Sequence, residues 1–210
     1  MTRMRIMGLS LVAVFALTAV FAGAAFGKAT PVTLKTAKGP LPAGAPITAS
    51  SSDLTFTTEA GKLECTKNIL EGTLTNNGST KDKGTITAES STGEGTGFGS
   101  ACKTSTPFGP AAIEPGHLPW SVEFSNKGVA TVKGKKVSFT STFVAAGGAK
   151  CTYESAKVLS SFSTAGGPVT LTTTEQLFKV NKKTSNEACP PTGKLNGHFT
   201  LTSGGETVED

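Results

Sequence analysis

Residues 120–144 read WSVEFSNKGVATVKGKKVSFTSTFV, and the expected fold follows from this stretch. Trp120, Val122 and Phe124 alternate with polar residues, and the same period of two returns in the last nine positions. Such alternation is typical of β-strands with one buried and one solvated face. We therefore predict a meander of three strands, with a tight Lys-Gly-Lys turn between the last two: 120–124, 129–133 and 136–144.

The same pattern extends in both directions along the chain. Strand-like runs over 69–75 and 84–90 flank Asn76-Asn77-Gly78, which is a hairpin signal. Short strands separated by turn residues predict an all-β, antiparallel fold, either a β-sandwich or barrel-like. The residues expected to face inward are Leu54, Phe56, Ile86, Val122, Phe124, Val137, Phe139, Phe143, Val158, Phe162, Val169, Leu171, Phe199 and Leu201.

The N-terminal segment has the order of a secretory signal peptide. Arg3 and Arg5 precede an apolar run over 6–21, and small residues follow it up to Gly27. The run is shorter than the roughly 20 residues that span a bilayer. We predict a signal peptide over 1–27, a secreted, extracellular protein without a stable membrane anchor, a Pro/Ala-rich lead-in over 28–46 and a β domain over 47–210.

The charge of the chain argues against nucleic acid as a partner. The formal net charge is +5, and removal of Arg3 and Arg5 with the signal peptide would lower it to +3. Proteins that bind nucleic acid nonspecifically carry a much stronger basic surface. The expected partners are therefore extracellular glycans or proteins.

Four cysteines lie beyond the predicted signal peptide, at Cys65, Cys102, Cys151 and Cys189. An even number of cysteines in an exported chain predicts two disulfides. A zinc site is disfavoured because no two cysteines are two to four residues apart. Three pairings are possible, and the near-equal separations of 37 and 38 residues favour 65–102 with 151–189.

The two halves of the β domain resemble each other. Ala-Cys at 101–102 matches Ala-Cys at 188–189, and Gly-His-Leu at 116–118 matches Gly-His-Phe at 197–199. Self-similarity of this kind predicts a degenerate internal repeat, with half-repeats over 47–125 and 126–210.

No catalytic, metal or cofactor motif is present in the sequence. There is no Gly-x-Ser-x-Gly elbow, and His117 and His198 have no acid or serine at a telling separation. The acids of the first half are interpreted as surface residues: Glu59, Glu64, Glu71, Glu89 and Glu94. The sequence predicts no cofactor and no enzymatic activity.

Trp120 and His117 are the candidate binding residues. Trp120 follows a Pro-rich segment, and an exposed Trp face would stack on a sugar, but a single Trp that enters a strand is more often part of the core, which is the favoured interpretation. Binding is expected in the loops 91–99 and 104–119, because loops on rigid sheets carry recognition. The leading hypothesis is a secreted, non-enzymatic binding or structural protein. The alternatives are a secreted hydrolase of extracellular polymers that uses His117 or His198, and an extracellular protease inhibitor.

Three short motifs carry a resemblance to a known group of proteins. They are LTFTT at 54–58, LPW at 118–120 and KLNGHFTLT at 194–202. The chain resembles small, secreted, β-rich proteins of actinobacteria that have no assigned activity. The resemblance implies secretion and β structure and implies nothing about mechanism.

Overall fold

A computed structural model describes residues 31–93, 101–163 and 166–210, and within them the regular structure is almost entirely β. The predicted signal peptide lies outside the described residues. One 3-10 turn, Val144–Ala146, accompanies fifteen strands. The strands are β1 (Lys35–Thr36), β2 (Gly39–Pro40), β3 (Pro46–Ser51), β4 (Leu54–Thr58), β5 (Gly61–Cys65), β6 (Lys67–Asn76), β7 (Lys81–Thr92), β8 (Lys103–Thr104), β9 (Ala111–Gly116), β10 (Trp120–Ser125), β11 (Val129–Phe143), β12 (Ala149–Ser161), β13 (Thr170–Val180), β14 (Thr192–Ser203) and β15 (Glu206–Thr207).

Eight of these strands form a closed antiparallel barrel. Their order around the barrel is β3, β6, β7, β10, β11, β12, β13 and β14. The ring closes because β14 pairs with β13 at Phe199↔Leu171 and with β3 at Leu201↔Ala49. The predicted all-β, antiparallel fold is confirmed, and of the two architectures left open the chain adopts the barrel.

At one end of the barrel the wall is made by a second set of strands. Strand β14 pairs with β3 through residues 200–202 and with β4 through residues 193–196. Strand β11 likewise pairs with β10 through 129–133 and with β9 through 138–143. Strand β4 pairs with β5, and β5 pairs with β8. An isolated backbone β-bridge between Cys102 and Ala111 then connects this group of strands to β9. The interior is thus enclosed by two sets of strands that share β11–β14.

The expected turn in the middle of residues 120–144 is wrong. Residues 129–143 form one continuous strand with a bulge between Lys133 and Val137. Strand β12 pairs with β11 from Val129 to Phe143, so the chain has a partner on both sides of the bulge and does not reverse. Residues 133–136 therefore bend a long strand, which increases the local twist of the barrel wall.

The loop expected over 104–119 is also partly wrong, because Ala111–Gly116 forms β9. Its proline, Pro115, is tolerated because β9 is an edge strand whose main partner is β11. The predicted hairpin around Asn76-Asn77-Gly78 is confirmed by the pairing of β6 with β7.

The predicted lead-in is built into the core. Leu34 is fully buried, and Lys35 exchanges two backbone hydrogen bonds with Glu209, at 2.9 and 2.8 Å. The Asn77 side chain accepts from the Leu34 amide at 2.9 Å and donates to the Leu34 and Leu41 carbonyls at 2.7 and 2.8 Å. Asn77 lies in the β6–β7 turn, so the N-terminal segment covers the barrel interior at this end.

The core and the disulfides agree with the sequence. All the residues expected to face inward are buried, except Leu54 and Phe139, which are partly buried and pack against the core. The disulfides join Cys65 to Cys102 and Cys151 to Cys189, which is the favoured pairing.

No helix within the described ranges is long and apolar enough to cross a membrane. The internal repeat stays a prediction.

Candidate binding cavity

The barrel encloses a cavity of about 120 Å³. Its wall is contributed by both sets of strands, and most of it is apolar. The apolar wall includes Leu54, Leu70, Ile113, Trp120, Leu171 and Phe199. Protein interiors normally pack to the density of organic crystals and leave few voids larger than a water molecule. A void of this size in the centre of the barrel is therefore a feature that packing alone does not produce.

One side of the cavity rests on a cluster of aromatic rings. The Phe56 ring meets Phe139 and Tyr153 edge-on, with centroid separations of 4.9 and 4.7 Å, and Phe178 at 6.1 Å. A Cβ atom on Gly193 would lie only 2.1 Å from Cζ of Phe56, so the ring lies directly on the backbone of β14. The rings and the backbone of β14 therefore pack directly against one another on this side of the cavity.

The β6–β7 hairpin contributes a group of polar side chains to the cavity wall. Asn68 and Leu70 on β6 pair with Ser91 and Glu89 on β7. Residues two apart on a strand face the same way, so all four side chains project from the same face of the hairpin. All four line the cavity. We call Asn68, Glu89 and Ser91 the β6–β7 polar patch.

Two oxygens of the polar patch have no hydrogen-bond partner among the described residues. The Asn68 amide nitrogen donates to the carbonyls of Cys65 and Ser51, at 2.8 and 3.2 Å, and this fixes the amide with Oδ1 free. The Ser91 hydroxyl donates to Oε1 of Glu89 and leaves Oε2 free. An unpaired buried acceptor costs about 1–3 kcal/mol, so the patch is a costly arrangement.

Burial also acts on the charge of Glu89. Loss of solvent raises the pKa of its carboxyl, and the hydrogen bond from Ser91 opposes that rise. No lysine or arginine is among the cavity-lining residues that the structure describes. The carboxylate therefore faces an apolar space without a cationic partner.

The remaining polar groups of the cavity are paired. Ser160 and Thr173 hydrogen-bond to each other at 2.6 Å on the β12–β13 side. Ser138 hydrogen-bonds to Nδ1 of His117 at 2.8 Å. Free hydrogen-bonding capacity in the cavity is thus concentrated in the acceptors of the polar patch.

The interpretation of Glu89 as a surface residue is wrong, and a β-bulge is the reason. Glu71 pairs with Ala88 and Gly72 pairs with Ile86, which leaves Thr87 as an extra residue in β7. The bulge shifts the alternation, so Ile86 and Glu89, three residues apart, both face inward. Gly72 permits the close approach, because a Cβ there would lie 2.1 Å from the Thr85 carbonyl oxygen. That glycine inside the strand-like run 69–75 is the signal in the sequence that could have indicated the shift.

Trp120 begins β10 and His117 lies in the connection before it, and the two do not form a surface platform because Trp120 is buried. Trp120 is only 6% exposed, and its indole N–H donates to the Gly116 carbonyl at 3.1 Å. Its ring lines the cavity, so a polymer at the surface cannot stack on it. His117 has a positive φ of 60° and is tied to Ser138. Any binding role of Trp120 is therefore toward the interior.

The second histidine is held elsewhere. His198 on β14 lies 2.6 Å from Asp53 through Nδ1, and its backbone amide donates to the same carboxylate at 2.9 Å. Two strands, β12 and β13, separate it from the pair that His117 and Ser138 form on the β11 side. The structure therefore does not bring the serine–histidine and histidine–aspartate pairs together.

Of the two loops expected to bind, residues 94–100 lie outside the described residues, and Ala111–Gly116 is the strand β9. Within the described ranges, no three His, Cys, Asp or Glu side chains are placed to hold a metal ion. No protein-family model, no curated protein and no solved structure matches this chain.

Proposed function

We propose that this protein is a secreted, non-enzymatic binding protein that holds one small, mostly apolar molecule inside its barrel. The observation that carries the proposal is the interior cavity of about 120 Å³, whose wall is apolar except at the β6–β7 polar patch. An apolar cavity of about 150 Å³ is sufficient to bind benzene. The expected ligand is therefore a molecule of one ring or a short branched chain.

Two features of the cavity support ligand binding over a purely structural role. A core selected for stability alone would be filled and its polar atoms would be paired. Here the barrel interior holds a cavity, and Asn68 and Glu89 in its wall each have a buried oxygen without a hydrogen-bond partner among the described residues. The two disulfides support a role outside the cell, because disulfides persist in oxidising compartments.

The proposal is tested by titrating the ¹⁵N-labelled protein with toluene and with indole and following backbone amide shifts. We expect saturable shifts confined to the strands that line the cavity, among them β6, β10, β13 and β14, with Kd values between about 10 μM and 1 mM for ligands of this size. Absence of saturable shifts with both compounds, up to their solubility limits, would contradict the proposal.

A matched pair of variants separates the cavity from the outer surface. Leu70→Trp places an indole into the cavity from the β6 side, and we expect it to abolish binding. Leu177→Trp makes the same change at a leucine that is 45% exposed on β13, and binding should be retained. If Leu70→Trp proves unstable, Ile113→Phe reduces the same cavity from β9 with a smaller change.

A further inference from the structure

We infer that the ligand enters the cavity through a gap in the barrel wall between β12 and β13, and that the Gln176 side chain closes this gap. The inference rests on the proposed function, and it assigns the route by which a molecule reaches the interior. It starts from the pairing of the two strands, which is interrupted in the middle.

The ladder between β12 and β13 stops after Glu154↔Lys179 and resumes at Ser161↔Thr172. The residues between these two pairs have no partners in the ladder, on either strand. Paired strands in a sheet are normally held about 4.8 Å apart by backbone hydrogen bonds. The barrel wall is therefore closed at both ends of this interruption and lacks its backbone ladder in between. We call the interruption the β12–β13 gap.

The side chain of Gln176 bridges the β12–β13 gap. Its Oε1 accepts from the Leu159 amide at 2.9 Å, and its Nε2 contacts the Ser155 hydroxyl at 3.5 Å and the Leu177 carbonyl at 3.3 Å. A side chain of β13 thus takes the place that a backbone carbonyl has in a regular ladder. Side chains change rotamer within nanoseconds at exposed positions, whereas opening a ladder requires several backbone bonds to break together. The wall is easiest to open here.

The inner side of the β12–β13 gap faces the cavity. Val158 and Ser160 on β12 and Thr173 and Phe178 on β13 all belong to the unpaired stretches, and all four line the cavity. The hydrogen bond of 2.6 Å between the Ser160 and Thr173 hydroxyls is a second side-chain contact across the gap. A molecule that passes between the strands at this level therefore arrives directly in the cavity.

Strand β13 is also irregular on its other side at the same level. Its register with β14 shifts between Thr173 and Gln176, and Glu175 within this bulge has a positive φ of 50°. Residues other than glycine adopt this backbone conformation at a cost. The bulge bends β13 at the point where it leaves β12, so the gap is built into the strand and does not depend on Gln176 alone.

The outer side of the β12–β13 gap is apolar. Leu159 is 40% exposed and Leu177 is 45% exposed, and with Val144 they are the exposed large hydrophobic residues of the described chain. Two of these three residues thus lie on the unpaired stretches. Exposed apolar side chains that cluster at one place indicate an interaction site, and here they offer an apolar molecule a first contact beside the gap.

The other interruptions of the wall are blocked. Strand β11 changes its partner from β10 to β9, and there a Cβ on Gly134 would lie only 2.9 Å from Cδ1 of Trp120, so the indole covers the backbone. Strand β14 changes its partner from β3 to β4, and there a Cβ on Gly197 would lie 3.2 Å from Cα of Leu54. The two backbones are in direct contact at that point and leave no passage.

The inference is tested by measuring how fast toluene exchanges with the cavity, from ¹⁵N relaxation dispersion of the half-saturated protein. The cavity-lining residues that the structure describes do not include Gln176, so Gln176→Ala widens the route and leaves the bound state unchanged. We expect exchange at least about fivefold faster than in the parent protein, with Kd within about threefold. Glu71→Ala, which truncates an exposed side chain on β6, should change neither quantity.

A cross-link tests the same route in the opposite direction. Leu159 and Thr174 are exposed and stand opposite each other in the register of the two strands. Leu159→Cys and Thr174→Cys joined by a short bis-maleimide should slow exchange by about tenfold or more at an unchanged Kd. Each single cysteine variant capped with N-ethylmaleimide is the control, and its exchange rate should stay close to that of the parent protein.

The two proposals fail in different ways. If toluene binds and its exchange rate is the same in the parent, in Gln176→Ala and in the cross-linked protein, the route through the gap is overturned and the proposed function stands. If toluene does not bind the parent protein, the proposed function fails and the route fails with it.

Discussion

Replacement of Glu89 by glutamine should make the protein more stable at neutral pH. In the parent protein Oε2 of Glu89 and Oδ1 of Asn68 are buried acceptors without partners among the described residues. A glutamine keeps one oxygen to accept from Ser91 and replaces the other by an N–H₂ group that can donate to Asn68. Each unpaired acceptor costs about 1–3 kcal/mol, and repair of both is incomplete because the glutamine side chain must be ordered.

The expected gain in the free energy of unfolding is therefore about 1–2 kcal/mol at pH 7. For a chain of this size, each kcal/mol raises Tm by about 2–4 °C. Urea unfolding followed by the fluorescence of Trp120 measures the gain, because this single tryptophan lies in the cavity wall. Glu71→Gln, at an exposed position, should change stability by less than about 0.5 kcal/mol.

The pH dependence gives the sharper test. A carboxyl with a raised pKa in the folded protein binds more protons folded than unfolded, so its contribution to stability falls as pH rises above the ordinary value of 4.5. Glutamine does not titrate. The advantage of Glu89→Gln should thus be largest at pH 7 and shrink toward about pH 4. A variant less stable than the parent at pH 7, or an advantage equal at both pH values, would refute the reasoning.

Three further predictions concern the core and the disulfides. Tyr153 is the single tyrosine, and burial together with the nearby Glu59 raises its pKa to about 12, so ultraviolet absorbance should show no tyrosinate near pH 10 until the chain unfolds. Gly193→Ala should destabilise the fold by about 1–3 kcal/mol because its Cβ would overlap the Phe56 ring, and adding Phe56→Leu should recover part of the loss; thermal unfolding that is unchanged in the single variant would contradict this packing. Replacing Cys65 and Cys102 by serine should cost about 4 kcal/mol, the loop-entropy value for a 37-residue separation, and a loss below about 1 kcal/mol in urea titration would show that the bond does not restrain the unfolded chain.

Much of the fold follows from local patterns. The period-two alternation placed Val122, Phe124 and Leu201 in the core because it reports directly on which face of a strand is buried. The cysteine separations indicated the pairing that the structure has. These signals are local in sequence, or depend on chain separation alone, so no knowledge of the sheet order was needed.

The errors have a common physical origin in irregular strand pairing. Residues 133–136 look like a turn, but β12 pairs with β11 on both sides of them and converts the irregularity into a bulge. The bulge at Thr87 reverses the alternation and turns Glu89 from the surface into the cavity. A bulge depends on the partner strand, and the sequence of one strand does not contain that information. The polar part of the candidate site was missed for the same reason, since the bulge brings Glu89 and Ser91 inward.

The most direct test of the central claim is a crystal structure of the protein grown with toluene. The proposed function predicts electron density for the ring inside the barrel, beside Leu171 and Phe199. Leu70 and Trp120 should border the same density. A barrel interior closed by its own side chains, or toluene bound only at the outer surface, would contradict the account.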